Sequence, residues 1–281
     1  MGLDGARRRE SGMTRTVRAG QVTLQVTESG HGIPLLLVHG FPLDHSMWEA
    51  QISRLSNRCH VIAPDLRGFG GSQVSSGTVT MEQMADDLDA LLDALEIKEP
   101  IVFCGLSMGG YVAFQFWRKY GSRLRGLVLC DTRAVADTRE AVGSRLKMAE
   151  QVLREGTRSA AEAMLPKLFA PAAFQDRAAA IEIQRRTILA AAPEGVAAAL
   201  RGLAERPDVS DYLPRLALPA LIVVGQHDAI STVDEMRDMA QAIPESEFVV
   251  IPGSGHMTPV ENSTAFNEAI ERFLTRLARP N

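Results

Sequence analysis

The pentapeptide Gly105-Leu106-Ser107-Met108-Gly109 is the part of the sequence that decides the fold. A continuous apolar run, residues 100–105, leads into it, and a segment with a helical pattern, residues 108–120, follows it. A serine at a sharp turn from strand to helix stands clear of the sheet, and the flanking glycines leave space for such a turn. The pattern predicts that Ser107 is a nucleophile held above the edge of a sheet.

The base that activates this serine is expected later in the chain. A serine hydroxyl is a poor nucleophile unless a base removes its proton and donors stabilise the oxyanion. His256 lies in the glycine-rich stretch 253–257, after the apolar run 248–251. Serine, acid and histidine are expected in this order along the chain, which favours His256 as the base. Five other histidines are available: His31, His39, His45, His60 and His227.

Two aspartates are candidates for the acid that orients the histidine. Asp228 follows the apolar run 221–224, and Asp131 directly follows the run 127–130. Both would lie at the carboxyl edge of a sheet, so position alone excludes neither. The acid of a catalytic triad more often lies in a Gly-x-x-Asp turn, and such a turn ends at Asp228. Asp228 is therefore preferred over Asp131.

Two backbone amides are predicted to hold the oxyanion. The N–H of Met108 opens the helix after Ser107, where the helix dipole favours negative charge. The second donor is expected from a loop after another strand, and Val38-His39-Gly40-Phe41-Pro42 fits, with the Phe41 N–H as the donor. The side chain of His39 is expected to make structural hydrogen bonds.

Apolar runs alternate with helical patterns in the first half of the chain, and two more runs lie near its end. Residues 22–26 alternate as a half-exposed strand does. The other runs are continuous, as in parallel strands covered on both faces: 33–38, 59–63, 100–105, 127–130, 221–224 and 248–251. The fold class is therefore predicted as α/β, with a mostly parallel central sheet flanked by helices.

Residues 133–216 are Ala-rich and lack a strand-like run, which predicts a helical cap inserted into a core of residues 16–132 and 217–281. Residues 1–15 are expected to be a disordered tail. Prolines such as Pro166 are expected at the joins between cap helices. A cap over the carboxyl ends of the strands would cover the usual ligand site of an open α/β sheet. An apolar pocket is expected from these residues: Leu43, Met148, Met164, Leu165, Leu168 and Phe169.

Composition argues against several other classes of protein. A chain of 281 residues with a formal charge of −4 does not favour nucleic acid or an anionic membrane as a partner. No apolar stretch approaches the ~20 residues of a membrane span and no signal peptide is evident, so a cytoplasmic protein is expected. The cysteines fall in or beside apolar runs, no metal-ligand cluster is evident, and we expect neither metal nor cofactor. A monomer or small homo-oligomer is expected.

Several motifs together resemble the α/β-hydrolase family. In family order they are His39-Gly40-Phe41-Pro42, Asp65-Leu66-Arg67-Gly68-Phe69-Gly70-Gly71-Ser72, residues 105–110, the Asp228 turn and the His256 turn. Residues 105–114 are similar to small bacterial carboxylesterases and to the related enol-lactonases. The resemblance implies a triad of Ser107, Asp228 and His256, a helical cap and no cofactor.

The expected activity is hydrolysis of short- to medium-chain carboxylic esters through an acyl-enzyme. An enol-lactonase, a carbon-carbon bond hydrolase and a perhydrolase can use the same triad and remain alternatives. A haloalkane dehalogenase or epoxide hydrolase is disfavoured, because those enzymes have an aspartate in place of Ser107. A signalling receptor with slow turnover is the alternative from another class, and steady multiple turnover of p-nitrophenyl esters would exclude it.

Overall fold

A computed structural model describes residues 12–278 and shows one eight-stranded sheet. The strands are β1 (Met13–Ala19), β2 (Val22–Ser29), β3 (Ile33–Val38), β4 (Cys59–Pro64), β5 (Ile101–Leu106), β6 (Leu124–Cys130), β7 (Ala220–Gly225) and β8 (Ser246–Ile251). Their order across the sheet is β1-β2-β4-β3-β5-β6-β7-β8. The pairs β1–β2 and β2–β4 are antiparallel and the other five are parallel. The mostly parallel α/β sheet predicted from the apolar runs is confirmed.

Helices join the strands and cover both faces of the sheet. Within the described residues they are α1 (Glu49–Leu55), α2 (Met81–Ala94), α3 (Met108–Tyr120), α4 (Arg139–Glu155), α5 (Arg158–Leu168), α6 (Ala173–Asp176), α7 (Ala178–Ala190), α8 (Pro193–Ala204), α9 (Val233–Ala242), α10 (Thr258–Glu261) and α11 (Ser263–Leu277). The carboxyl ends of β3, β5, β6, β7 and β8 meet at one edge because these strands are parallel, and that edge carries every predicted catalytic residue.

The N-terminal strand β1 corrects one expectation. Residues 13–15 were expected in a disordered tail, but they begin β1, which pairs antiparallel with β2. The first four residues of β1 are exposed, so its sequence shows little apolar alternation. Its backbone hydrogen bonds to β2 hold it at the sheet edge. Residues 1–11 of the expected tail lie outside the described residues.

Residues 133–216, all of them described, contain α4 to α8 and no strand. Pro166 does not join two helices as expected, because it lies inside α5, which ends two residues later at Leu168. Within residues 12–278, no single helix is long and apolar enough to cross a membrane. Helices α7 and α8 reach the length and apolar composition of a membrane span only when they are counted as one segment. The angle of the bend between them is 97°.

Helix α8 packs backbone against backbone on the core. A Cβ placed on Gly195 would lie 2.1 Å from the carbonyl oxygen of Gly68, and one on Gly202 would lie 1.8 Å from that of Val79. The Val79 N–H also donates to the Ala198 carbonyl at 3.1 Å. Glycine at these two helix positions therefore permits an approach that any side chain would prevent.

The core contains the cysteines, as the sequence indicated, and also Trp48. Cys59, Cys104 and Cys130 are buried free thiols. Burial raises the pKa of Cys59 to about 11, so its thiol stays protonated at neutral pH. Trp48 is fully buried, with its ring centroid 6.0 Å from that of Phe266 on α11. These side chains stabilise helix-to-sheet packing.

Candidate active site

Ser107 lies at a strained turn between β5 and α3. Its backbone has φ 53° and ψ −110°, a conformation that a residue with a side chain rarely adopts. The Ser107 N–H donates to the Cys130 carbonyl at 2.9 Å, and the Thr132 hydroxyl donates to the Ser107 carbonyl at 2.8 Å. Hydrogen bonds from β6 and from the loop after it therefore stabilise this strained backbone conformation. Such strain is typical of a functional position.

Two glycines of the pentapeptide are required by close backbone approach. A Cβ on Gly105 would lie 2.3 Å from the Gly109 carbonyl oxygen. A Cβ on Gly109 would lie 2.2 Å from the Val38 carbonyl oxygen at the end of β3. The first turn of α3 thus rests directly on two strand ends, as the sequence motif predicted.

The two predicted oxyanion donors lie on either side of Ser107. Met108 begins α3, and Phe41 follows Gly40, whose added Cβ would come within 3.5 Å of the Ser107 Cβ. Among the described residues, neither the Phe41 N–H nor the Met108 N–H donates to a protein acceptor. Backbone donors that are fixed and unengaged can stabilise the charge that develops on a carbonyl oxygen.

The side chain of His39 holds the loop that contains the predicted Phe41 donor, in agreement with its expected structural role. Its Nε2 accepts the Leu66 N–H at 2.9 Å, so Nδ1 carries the proton and donates to the Gly40 carbonyl at 2.9 Å. Burial lowers the pKa of His39, which keeps the imidazole neutral. The side chain fixes the loop just before the Phe41 donor.

His256 is paired with Asp228, the preferred acid. The distance from His256 Nδ1 to Asp228 Oδ2 is 2.8 Å, and both side chains are at most 1% exposed. The other Asp228 oxygen accepts the N–H groups of Ile230 and Ser231 at 2.7 and 3.1 Å. Burial acts to raise the pKa of Asp228, but the charge of His256 and these hydrogen bonds outweigh it and lower the pKa. The carboxylate therefore stays ionised and can orient the imidazole.

Ser107 and His256 lie at the same sheet edge without a direct hydrogen bond between their side chains in the described residues. Catalytic hydrogen bonds are often long in the absence of substrate and shorten in the complex. The other imidazole nitrogen of His256, Nε2, is left for Ser107 by the Asp228 contact.

Asp131, the rival acid, lies in the same cluster but has different partners. Asp131, Asp228 and His256 each place a potential ligand atom within 4.8 Å of the others. Asp131 accepts the Gly225 N–H at 2.8 Å and the hydroxyl of Thr258. Burial, and then the charge of Asp228, raise the pKa of Asp131 well above its ordinary value. The structure thus gives the histidine contact to Asp228, and Asp131 lies beside it with a raised pKa.

Among residues 12–278, two groups have the spacing of a metal site. One is the cluster of Asp131, Asp228 and His256, and the other is Asp44, His45 and Asp65. His45 Nδ1 lies 2.6 Å from an Asp65 oxygen, and the other Asp65 oxygen accepts a backbone N–H. Both groups are bonded internally, and their partners explain the geometry without an ion. A metal-free enzyme stays a prediction.

The predicted pocket residues fall into different places. Phe169 lies against the His256 turn, because a Cβ on Gly255 would come within 2.8 Å of the Phe169 carbonyl carbon. Leu43 is buried in the oxyanion loop, where its N–H donates to the Gly40 carbonyl. Leu168 is fully buried, and the last two residues are partly buried against the core: Met148 and Met164.

Leu165 lies on α5 and is buried. It lines a cavity of about 200 Å³ between α5 and α7, together with Leu189. Ser107, Asp228 and His256 are not among the residues that line this cavity. A place for Leu165 in a substrate pocket stays a prediction.

Glu261 and Thr258 were not predicted from the sequence, yet both make polar contacts at or beside the proposed site. Both lie on the short helix α10, which begins two residues after His256, and are fully or nearly fully buried. A single acid or threonine in a polar stretch gives no local signal. Only the folded chain shows that a Glu261 oxygen accepts N–H groups of the His256 turn and that the Thr258 hydroxyl donates to Asp131.

Comparisons with known proteins agree with the fold. A profile of the α/β hydrolase fold matches residues 33–263. The 3-oxoadipate enol-lactonase 2 of Acinetobacter baylyi is 30% identical over 231 residues, which are 82% of this chain and 84% of that protein.

Two solved structures superpose closely. An esterase from Thermogutta terrifontis has a TM-score of 0.91 at 50% identity and covers 96% of this chain and 100% of its own. An enol-lactonase from Burkholderia xenovorans LB400 has a TM-score of 0.87 at 28% identity, over 93% and 100% of the two chains. The profile match over most of the chain and the mostly parallel sheet lead to one conclusion: this chain belongs to the α/β-hydrolase fold family, whose relatives here are esterases and enol-lactonases.

Proposed function

We propose that the chain is a serine carboxylesterase that hydrolyses short- to medium-chain esters, with Ser107, His256 and Asp228 as its triad. The observation that carries the proposal is the strained Ser107 turn with two unengaged N–H donors, at the sheet edge where Asp228 holds His256. The similarity to an esterase at 50% identity over 96% of the chain supports the substrate class.

Acylation uses these groups in turn. The Ser107 oxygen attacks the ester carbonyl carbon while its proton passes to Nε2 of His256. The N–H groups of Phe41 and Met108 bind the oxyanion, and Asp228 stabilises the imidazolium through Nδ1. His256 then gives the proton to the leaving alkoxide, the carbon-oxygen bond breaks, and an alcohol departs.

Deacylation repeats the same steps with water as the nucleophile. His256 takes a proton from water, and the resulting hydroxide attacks the acyl carbon under the same two N–H donors. The oxyanion then collapses, His256 returns its proton to the Ser107 oxygen, and the carboxylic acid leaves. No redox step or added group is required by this sequence.

An enol-lactonase is the second candidate, because several similar proteins have that name. The chemistry differs only in that the leaving oxygen of a cyclic ester stays attached to the acyl group. A panel of linear p-nitrophenyl esters and enol-lactones therefore decides between them. A kcat/KM higher for lactones than for linear esters would contradict the carboxylesterase proposal.

The direct test of the nucleophile is Ser107→Ala. We expect kcat for p-nitrophenyl butyrate to fall by roughly a million-fold, as for other triad nucleophiles, and labelling by a fluorophosphonate to disappear. Ser122→Ala, at an exposed serine after α3, is the matched control and should keep both. Near wild-type turnover by the Ser107 variant would contradict the mechanism. Slow single turnover by the wild-type chain would instead favour a receptor.

A further inference from the structure

The carboxylate of Glu261 accepts hydrogen bonds from the backbone on both sides of His256. Its Oε1 accepts the N–H of Gly255 at 2.8 Å and the N–H of Met257 at 3.3 Å. Glu261 is the last residue of α10 and is 2% exposed. The two N–H groups that flank the proposed base therefore share one buried oxygen.

The second oxygen of Glu261 reaches the helical segment between β6 and β7. Its Oε2 accepts the N–H of Ala170 at 2.8 Å. A Cβ on Gly255 would lie 2.5 Å from the Ala170 nitrogen, so the two backbones are already in close contact. One carboxylate thus joins the His256 turn to the chain between α5 and α6.

The His256 turn needs such an anchor because regular structure does not supply one. Residues 252–257 lie between β8 and α10 without helix or strand hydrogen bonds. The hydrogen bond of Asp228 to this turn is made with the imidazole ring and not with the backbone. The Ser254 carbonyl accepts the N–H of His227 at 2.8 Å. The ring is therefore oriented by Asp228, while the position of its Cα depends on the hydrogen bonds of the turn.

We propose that Glu261 is a positioning residue that fixes the backbone of the His256 turn, and with it the imidazole, against Ser107 and the Phe169–Ala170 segment. The proposal rests on the proposed function of His256 as the base. A carboxylate suits this place because it has acceptors only, and all three of its partners are N–H donors. A buried carboxylate with three such bonds is better satisfied than any neutral side chain of its size.

Glu261→Gln separates positioning from general stability. The amide keeps the volume but turns one acceptor into a donor, which faces an N–H group and loses a hydrogen bond on one side. We expect kcat for p-nitrophenyl acetate to fall by roughly 10- to 100-fold, the cost of a small misplacement of a catalytic group. KM should change little, because an interaction that matters in the transition state lowers kcat and kcat/KM together.

The control is Asp87→Asn, at a second buried carboxylate. Asp87 lies on α2 and accepts from Arg67 Nε at 2.7 Å, away from the His256 turn. The variant should lower Tm and keep kcat, when activity is measured well below both melting temperatures. An equal loss of kcat in both variants would overturn the proposal, because it would show that reduced stability alone explains the effect.

A spectroscopic readout tests Glu261 independently of ester turnover. The His256 Nδ1 proton is held by Asp228, and its NMR signal reports how fast it exchanges with solvent. We expect faster exchange in Glu261→Gln than in the wild-type chain and no change in Asp87→Asn. Unchanged exchange in Glu261→Gln would overturn the proposal even if the chain hydrolysed no ester at all.

Wild-type hydrogen exchange completes the test without any variant. The amides of Ala170, Gly255 and Met257 should be protected although they lie outside helices and strands, because each donates to Glu261. Rapid exchange of all three would overturn the proposed anchor.

Discussion

The carboxyl ends of β6 and β7 each carry a buried aspartate, and the two carboxyl groups have opposite environments. Asp228, after β7, accepts from His256 and from two backbone N–H groups, and its pKa is lowered. Asp131, directly after β6, accepts from Gly225 and Thr258, and its pKa is raised. The same residue type at neighbouring strand ends therefore has its pKa lowered in one place and raised in the other.

The difference shows what determines the acid of such a site. Both aspartates are close enough to His256 to share a cluster, so proximity does not decide. The His256 imidazole and two backbone N–H groups that face Asp228 favour its charged form, whereas the charge of Asp228 itself works against a second charge on Asp131. An ionised aspartate beside the imidazole therefore raises the pKa of the neighbouring aspartate.

Of the two aspartates, Asp228 should give the larger effect, measured in the variant Asp228→Asn. The amide keeps the packing but favours the wrong tautomer of His256, so we expect kcat for p-nitrophenyl butyrate to fall by up to about 10⁴-fold. The far-ultraviolet circular dichroism spectrum should match that of the wild-type chain. Activity close to wild type would assign the acid to another residue.

Asp131→Asn should have a much smaller effect on the reaction. The amide keeps the volume of the carboxyl group and one acceptor oxygen, and the hydrogen-bond partners of Asp131 are Gly225 and Thr258 rather than His256, so we expect kcat to fall by less than roughly ten-fold. The same assay, at the same pH, gives the comparison. If Asp131→Asn were the inactive variant and Asp228→Asn were active, the roles of β6 and β7 would be reversed.

The smallest expected effect is on the pH dependence of the free energy of unfolding, which distinguishes the two aspartates directly. The folded pKa of Asp131 is raised above its ordinary value of 3.8, so above pH 3.8 the unfolded chain releases a proton that the folded chain keeps. The free energy of unfolding of the wild type, relative to Asp131→Asn, should therefore fall as pH rises.

Asp228 should show the opposite sign. Its folded pKa lies below 3.8, so its stabilisation is present above pH 3.8 and is lost as pH falls through the folded pKa. Urea unfolding of both variants and the wild type from about pH 3 to about pH 8 measures these slopes. Slopes of the same sign at the two positions would show that the two carboxyl groups do not differ in the folded state.

The sheet and the residues at its edge could be predicted because their sequence signals are local. The continuous apolar runs lie in β3 to β8, and the pentapeptide around Ser107 forms the expected strand-to-helix turn. Glycines at positions 105 and 109 are forced by backbone contacts within a few residues or with the neighbouring strand. Such local signals can be recognised in a single sequence.

Other features depend on contacts between distant parts of the chain and could not be predicted. The strand β1 is mostly exposed and owes its place to β2, so its residues show no apolar pattern. Leu165 lines a cavity between α5 and α7, and its hydropathy alone does not indicate which side of α5 it occupies. Glu261 contacts Ala170, which is 91 residues earlier in the chain.

The contact of α8 with the core has a consequence for exchanging parts between relatives. Gly195 and Gly202 place the backbone of this helix directly on the loop and chain around Gly68 and Val79. A graft that replaced all of residues 133–216 would have to recreate both glycine contacts. A graft that ended before Pro193 would keep the recipient's own α8, and so the natural seam for building chimaeras lies between α7 and α8 rather than at the return to the sheet.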